Sequence, residues 1–376
     1  VTGRWLLDGA EIARLDAREP VAVVDERRVR RNVAAMAARA AATGARLRPH
    51  VKTHQTVEIA SWCREAGARG ITVSSLAMAR AYVGAGWDDV TIALPANPRW
   101  APELSRLAER ARVGVLLDDP AAARALDAGL TADVAAWLKI DVGYGRAGVR
   151  WDDRSRLAVL AAAVAGAAHL SAAGVLTHAG QSYAARGRER IAAVCGEALE
   201  RLTAARRFVA DRWGGRCAAS FGDTPCCSVL ERFLEVDELR PGNYVFHDLM
   251  QHAAGVCDDG AIALAVACPV LSVQRERGRL LLHGGAVHLS KERLPDGTFG
   301  RLLAATGAGF GSLHPTARLA GLSQEHGLLE APADLLETAR PGDVVLVAPV
   351  HSCLAADLAD RIVTWEGTAL TSLRRR

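Results

Sequence analysis

The sequence predicts an α/β chain in which a (β/α)8 barrel carries a β-rich C-terminal domain. Three observations lead there. From residue 20 to about 246, short β-branched runs alternate with alanine- and arginine-rich segments of helical period, the pattern of βα units around a parallel sheet. Beyond about Gly255 the rhythm changes to strand-like runs separated by glycine, proline and charged turns. The 376 residues also exceed one ordinary domain. The expected division is a barrel over residues 20–250 and a β-rich domain over 251–376 that includes residues 1–19.

Taken in order, strand candidates fall at residues 21–25, 45–49, 70–75, 90–95, 113–118, 135–142, 172–179, 216–221 and 235–239. Nine is one more than a closed barrel uses, so 21–25 either opens the barrel or pairs outside it. After Asp25, Val29, Val33, Met36 and Ala40 are spaced for one helix face, and Thr43-Gly44 supplies a stop. Residues 56–67 and 76–86 repeat that pattern. A doubly wound open sheet is the architectural alternative. In the C-terminal part, 261–273, 279–287 and 344–350 read as strands, and the arginines at 374–376 as a frayed terminus.

Half the residues are hydrophobic, yet no apolar run reaches the roughly 18 residues of a membrane span, and no basic-then-apolar leader opens the chain. A soluble cytoplasmic protein is expected. The formal charge of +4 comes from scattered arginines that form no stripe suited to a phosphate backbone, which argues against nucleic acid as a partner. Lysine occurs only at Lys52, Lys139 and Lys291, so Schiff-base chemistry has three candidates. The eight cysteines show no framework spacing, and reduced thiols are expected.

Unusual polar motifs collect where a parallel barrel places function, at the C-terminal ends of strands. Arg48-Pro49-His50-Val51-Lys52-Thr53-His54 follows the second strand candidate, where partial burial of Lys52 would favour the neutral amine that a Schiff base requires. Lys139-Ile140-Asp141-Val142-Gly143-Tyr144-Gly145-Arg146 runs from a strand into a glycine-rich turn, from which Arg146 could reach an anionic oxygen. Thr177-His178-Ala179-Gly180-Gln181-Ser182-Tyr183 ends another strand, with hydroxyls able to orient a ligand; a hydrogen-bonded core histidine is the plainer account of His178. Phe221-Gly222-Asp223-Thr224-Pro225 and Arg240-Pro241-Gly242-Asn243-Tyr244 follow the last barrel strands, where many barrels bind phosphate. Outside the barrel, Pro349-Val350-His351-Ser352-Cys353 places two metal-ligand types two residues apart, on one face of an extended chain.

Together these motifs resemble the metal-activated, fold-type III pyridoxal-phosphate family of D-serine dehydratases, D-threo-3-hydroxyaspartate dehydratases and D-threonine aldolases. The resemblance spans residue 20 to about 365. Its most specific pieces are Arg48 to His54, Arg240 to Phe246, Ser323-Gln324-Glu325-His326-Gly327 and His351 to Cys353. It implies an alanine-racemase-like barrel with Lys52 as the Schiff-base lysine and Arg146 near the cofactor's ring oxygen. Gly222, Thr224, Gly242 and Asn243 would cradle the cofactor phosphate, Arg240 would meet the pyridine nitrogen, and His178 and Tyr183 would face the active site. His351 and Cys353 would hold a divalent metal, with zinc favoured by the thiolate over manganese or magnesium. Gln55 departs from the family's usual lysine, and Pro349-Val350 from its more frequent proline-asparagine.

The implied activity is a lyase acting on D-3-hydroxy amino acids, with Lys52, His351 and Cys353 as the catalytic residues. Dehydration to a 2-oxo acid and ammonia is the expectation, because aldolases of this group tend to carry aspartate where this chain has Cys353. Retro-aldol cleavage to glycine and an aldehyde is the alternative, and a racemase or epimerase a more distant one. A homodimer is expected from the fold's relatives.

Overall fold

The computed structural model describes residues 3–373, so the arginines at 374–376 lie outside it. Two compact units are present, one formed by residues 34–242 with the chain end at 373, the other by residues up to 33 together with 243–372.

The first unit is built on eight parallel strands: Arg46–Leu47, Ile71–Val73, Asp89–Pro95, Arg112–Leu117, Val134–Asp141, Leu170–Leu176, Ala218–Phe221 and Glu238–Leu239. Each pairs with its sequence neighbour, Glu238–Leu239 pairs back onto Arg46–Leu47, and a parallel bridge between His50 and Thr72 closes the ring. The closing hydrogen bond runs from the Thr72 N–H to the Pro49 carbonyl at 2.8 Å. All eight strands arise where the sequence pattern puts them, and runs such as Ile71–Val73 and residues 134–140 are buried on both faces and need no alternation. Leu116, Trp137 and Leu176, on three adjacent strands, pack together in one buried cluster. The helices start on sequence signals as well: Asp119 accepts from the N–H groups of Ala121 and Ala122 ahead of Pro120–Asp127, and Ser75 accepts from Met78 N–H ahead of Leu76–Gly84.

The second unit carries an eight-stranded sheet with the order Arg279–His283, His326–Glu330, Gly309–Leu322, Gly300–Thr306, Val344–Pro349, Leu264–Gln274, Val21–Val24 and Ile362–Thr364. Arg279–His283 also pairs with Leu264–Gln274, so six of the strands form a closed circuit. Period-two alternation divides the apolar residues between two cores. Val345 and Val347 enter one with Val266, Cys268 and Leu302, while Val344, Leu346 and Ala348 enter the other with Ala265, Leu303 and Trp365.

Residues 21–24 pair antiparallel with 264–267 and parallel with 362–364, so this strand pairs outside the barrel, one of its two expected placements, and the compact units divide at 33/34 and 242/243. An all-apolar Val-Ala-Val-Val run suits either sheet, and its pairing partners are not local. Two expectations are corrected by the structure. Cys195 and Cys226 form a disulfide, whereas uniformly reduced thiols were expected; it joins the long helix Arg188–Trp213 to Thr224–Val229. Finally, Pro349-Val350-His351 does not continue as a strand, because Val344–Pro349 ends there and Ser352–Leu358 is helical. Among the described residues no helix is long and apolar enough to cross a membrane.

Candidate active site

The first collection of polar groups lies at the C-terminal mouth of the barrel. Lys52 occupies the middle of the single 3-10 turn Val51–Thr53, between two buried neighbours, and its own side chain is exposed. Partial burial of Lys52 is therefore not observed. The turn directs Val51 and Thr53 inward and leaves the amine at the rim. Beside it His50 is held well below the ordinary imidazole range, by burial first and then by the positive charges of Lys52 and Arg240. The His50 Nδ1 atom is buried without a hydrogen-bond partner.

Lys139 is the buried lysine. Removal from water, with Arg240 and Arg146 adding repulsion, pushes its amine down to about 7. Its strand runs into the glycine-rich turn, where Asp141 Oδ1 accepts from the N–H groups of Gly143, Tyr144 and Gly145 at 2.9, 2.9 and 3.1 Å. The turn thereby presents Arg146, whose guanidinium stacks 5.0 Å from the Tyr144 ring centroid. The His178 ring lies 5.9 Å from Tyr144 and 6.1 Å from Tyr183, with its Nδ1 2.7 Å from the Gly222 carbonyl. The Thr224 N–H points at Tyr183 Oη, 3.4 Å away. Asp223 accepts from Ser182 Oγ and Cys226 N–H through one oxygen, while its other oxygen is buried and unpartnered. Burial pushes that carboxyl up to about 7.

Gly222 and Gly242 are glycines for steric reasons. A Cβ on Gly222 would come within 2.7 Å of the Arg240 carbonyl oxygen, and one on Gly242 within 2.9 Å of Thr53 Oγ1. Arg240 is buried and donates from Nε to Ser220 Oγ at 2.5 Å, with a second donation to the Thr177 carbonyl. Cavities of about 280 and 510 Å³ open at the opposite, N-terminal ends of the strands, lined by Arg46 and neighbours. They hold none of the groups described here, and barrel chemistry belongs at the other mouth.

The second collection lies in the β-rich unit. His351 caps the helix Ser352–Leu358 in extended conformation, and its ring donates towards the sulfur of Cys353, two residues on. The pair converges through this helix start rather than through strand alternation. Burial lowers the His351 affinity for a proton, but Cys353, Asp248 and Glu292 outweigh it and push the imidazolium up to about 9. Asn243 Nδ2 donates to Asp248 Oδ2 at 2.6 Å and Ser352 Oγ at 3.0 Å, and lies 3.6 Å from Cys353 Sγ. Its side chain thus belongs with His351 and Cys353, which leaves only its backbone for a phosphate cradle. Asp248 also accepts from Ser352 N–H at 2.9 Å. Sequence reasoning missed Asp248; its signal is weak, because an aspartate ahead of Leu249–Ala253 reads as an ordinary helix cap.

Both collections suit the groups the motifs imply. At the barrel mouth, an accessible amine, several cations and two glycines whose Cβ space is closed match an aldehyde cofactor bearing a phosphate. In the β-rich unit, His351 Nδ1 is buried without a partner and a thiol stands beside it, a donor pair that suits a divalent metal.

The family described as alanine racemase, N-terminal domain, matches residues 24–249, and the putative serine dehydratase domain matches 263–365. The D-threo-3-hydroxyaspartate dehydratase of Delftia sp. (strain HT23) is 34% identical over 92% of this chain and 96% of its own. The chain belongs to the fold-type III pyridoxal-phosphate family of D-serine dehydratase type. Members of this family are pyridoxal-phosphate lyases, and so is this chain. A D-serine dehydratase of Dictyostelium discoideum is 29% identical over 90% of both chains. A D-threonine aldolase of Arthrobacter sp is 27% identical, covering 94% of this chain and 90% of its own. A cysteine-to-alanine variant of the D-threo-3-hydroxyaspartate dehydratase, solved in a metal-free form, superimposes with a TM-score of 0.87 at 30% identity over 100% of both chains.

Proposed function

We propose that this chain dehydrates D-3-hydroxy amino acids of the serine or 3-hydroxyaspartate type, giving a 2-oxo acid and ammonia. The observation that carries this reading is the His351–Cys353 pair, braced by Asn243 and Asp248, with a buried imidazole nitrogen left for a metal.

Pyridoxal phosphate, joined to the amine of Lys52, supplies a conjugated ring that spreads the charge left when the substrate's α-proton departs. A divalent metal on His351 and Cys353 supplies a Lewis acid for the β-hydroxyl, with zinc favoured by the thiolate over manganese or magnesium. Once the substrate's amine has displaced it from the cofactor, the freed Lys52 Nζ would take the α-proton. Arg240, fixed by Ser220 and the Thr177 carbonyl, holds the ring nitrogen, and Arg146 on its braced turn holds the ring oxygen. The backbone of Gly222, Thr224, Gly242 and Asn243 cradles the phosphate, with His178 and Tyr183 beside the ring. Two acyclic losses compete at Cβ: departure of water, or breakage of the Cα–Cβ bond if the hydroxyl gives up its proton instead. The thiolate donor supports the first, and the 27% identity to an aldolase keeps the second as the alternative.

A homodimer in the cytoplasm completes the reading, and sedimentation tests the assembly. The test of function is to give the holoenzyme D-serine, D-threonine and D-threo-3-hydroxyaspartate, with added zinc or with chelator. Metal-dependent 2-oxo acid and ammonia are expected. Aldehyde and glycine in their place would make the chain an aldolase, and α-proton exchange without either product would make it a racemase.

A further inference from the structure

The motif Ser323-Gln324-Glu325-His326-Gly327 has no part in the chemistry above, yet the structure gives it a definite task. Ser323, Gln324 and Glu325 connect Gly309–Leu322 to His326–Glu330, which His326 and Gly327 open, and Ser323 N–H donates to the His326 carbonyl at 2.9 Å. The connection is laced to the segment after strand Arg279–His283. Gly284 N–H donates to the Glu325 carbonyl at 2.9 Å, Ala286 N–H to Ser323 at 2.9 Å and Val287 N–H to Gln324 at 3.2 Å. A Cβ on Gly285 would fall 2.5 Å from the Glu325 carbonyl carbon, so only glycine allows this approach.

The lacing brings three side chains together. His283 ends its strand, His288 lies in the single turn Ala286–Leu289, and Glu325 projects from the facing connection. One ligand-capable atom of each lies within 4.8 Å of the other two. His283 Nε2 is 3.9 Å from Glu325 Oε2, and the two imidazole rings stand perpendicular with centroids 5.4 Å apart. A tetrahedral zinc with bonds of about 2.0–2.1 Å spaces its ligands about 3.3 Å apart, so the three groups need to draw in by roughly 1 Å. Glu325, at 47% exposure, and His283, at 29%, have the rotamer freedom to do so. A competing contact is long, at 3.3 Å from Gly285 N–H to His288 Nδ1, and yields little when replaced.

We propose that His283, His288 and Glu325 form a second divalent-metal site, separate from His351 and Cys353, that takes zinc or a similar nitrogen-preferring ion and leaves a coordination position open to water. Two imidazoles and one carboxylate suit zinc, cobalt or nickel, whereas calcium and magnesium prefer all-oxygen sets. An ion pair between His283 and Glu325 alone would leave the second imidazole unexplained. The site is independent of the dehydratase reading, since none of its ligands enters that chemistry.

Cobalt(II) is the probe, because a thiolate ligand adds an intense charge-transfer band that a nitrogen and oxygen site lacks. Holoenzyme carrying Cys353→Ala, stripped with chelator and dialysed, is expected to bind cobalt with a weak visible d–d spectrum and no thiolate band. Adding His283→Gln or Glu325→Gln, both at accessible positions where glutamine preserves the fold, should weaken that binding roughly tenfold or more. If the Cys353→Ala protein takes up no cobalt, or if neither glutamine variant changes its affinity, the second site does not exist and the three residues form only a polar surface contact.

Discussion

Arg240 and Glu238 are tied through a single hydroxyl: Arg240 Nε donates to Ser220 Oγ at 2.5 Å, and Ser220 Oγ donates to Glu238 Oε1 at 2.6 Å. The other Glu238 oxygen accepts from Arg48 Nε at 2.9 Å, and Arg48 pairs with Asp89 at 2.7 Å. Ser220 and Glu238 are register partners on adjacent strands, so the barrel itself sets this spacing. Burial pulls Arg240 down to about 10 against the opposing pull of Glu238.

Glu238→Gln therefore leaves two buried guanidiniums short of their shared carboxylate and is expected to cost about 3–5 kcal/mol of stability. Ser220→Ala removes only the bridge and should cost about 1–3 kcal/mol. Urea unfolding of the cofactor-free variants measures both. Equal losses for the two would mean that Glu238 does not carry the network.

Gly222→Ala forces a methyl to within 2.7 Å of the Arg240 carbonyl oxygen and 2.8 Å of its carbonyl carbon, both backbone atoms that cannot rotate away. The strain should cost roughly 1–3 kcal/mol and weaken pyridoxal-phosphate binding by about tenfold, read by absorbance titration. Gly84 is the control: its Cβ space is empty and it ends the helix Leu76–Gly84, so Gly84→Ala should leave cofactor binding unchanged.

Much of this arrangement is written in local sequence. Val29, Val33, Met36 and Ala40 share one helix face by spacing alone, and all four are buried in Glu26–Ala42. The strand ends at Leu47, Asp141 and Phe221 deliver their motifs to one mouth because a parallel barrel has no other way to arrange them. What local pattern does not carry is the choice of partner. Val21–Val24 could join either sheet, Cys195 and Cys226 are 31 residues apart with no spacing rule to couple them, and Asp248 resembles any helix cap until Asn243 and Ser352 fold onto it. Lys52 shows the same limit: sequence locates it at a strand end, but the turn that exposes it depends on where Val51 and Thr53 find cover.

Lys139 gives the cofactor-free protein a pH signature. Its folded value of about 7 lies below the ordinary 10.5, so between those values the unfolded chain binds more protons and stability rises with pH. Lys139→Met removes the cost of burying the charge. The variant should be more stable than the parent below pH 7, and its advantage should shrink as pH approaches 10.5, as read by urea unfolding at pH 6, 8 and 10. A constant difference across that range would place the Lys139 amine in water.

Lys52→Ala tests the covalent anchor. Purified parent protein should show the absorbance of a Schiff base near the visible edge, and borohydride should fix the cofactor's mass to the peptide containing Lys52. The alanine variant should lose both signals while keeping its fold, since the side chain is exposed and its removal opens no core cavity. Attachment at Lys139 or Lys291 would move the anchor elsewhere.

Cys353→Ala separates the metal from the cofactor. Cys353 lies in the β-rich unit, where its contacts are His351 and the amide of Asn243, and Lys52 lies in the barrel. Loss of the thiol should thus leave the absorbance band of the parent intact. It removes one of the two proposed metal donors, and the remaining imidazole alone is a weak site. Metal-stimulated production of 2-oxo acid should fall by two orders of magnitude or more, at about the level that chelator imposes on the parent. Chelator should then have little further effect on the variant. If parent and variant turn over D-serine or D-threo-3-hydroxyaspartate equally well in chelator, the β-hydroxyl leaves without a metal and the pair of donors has a structural role only.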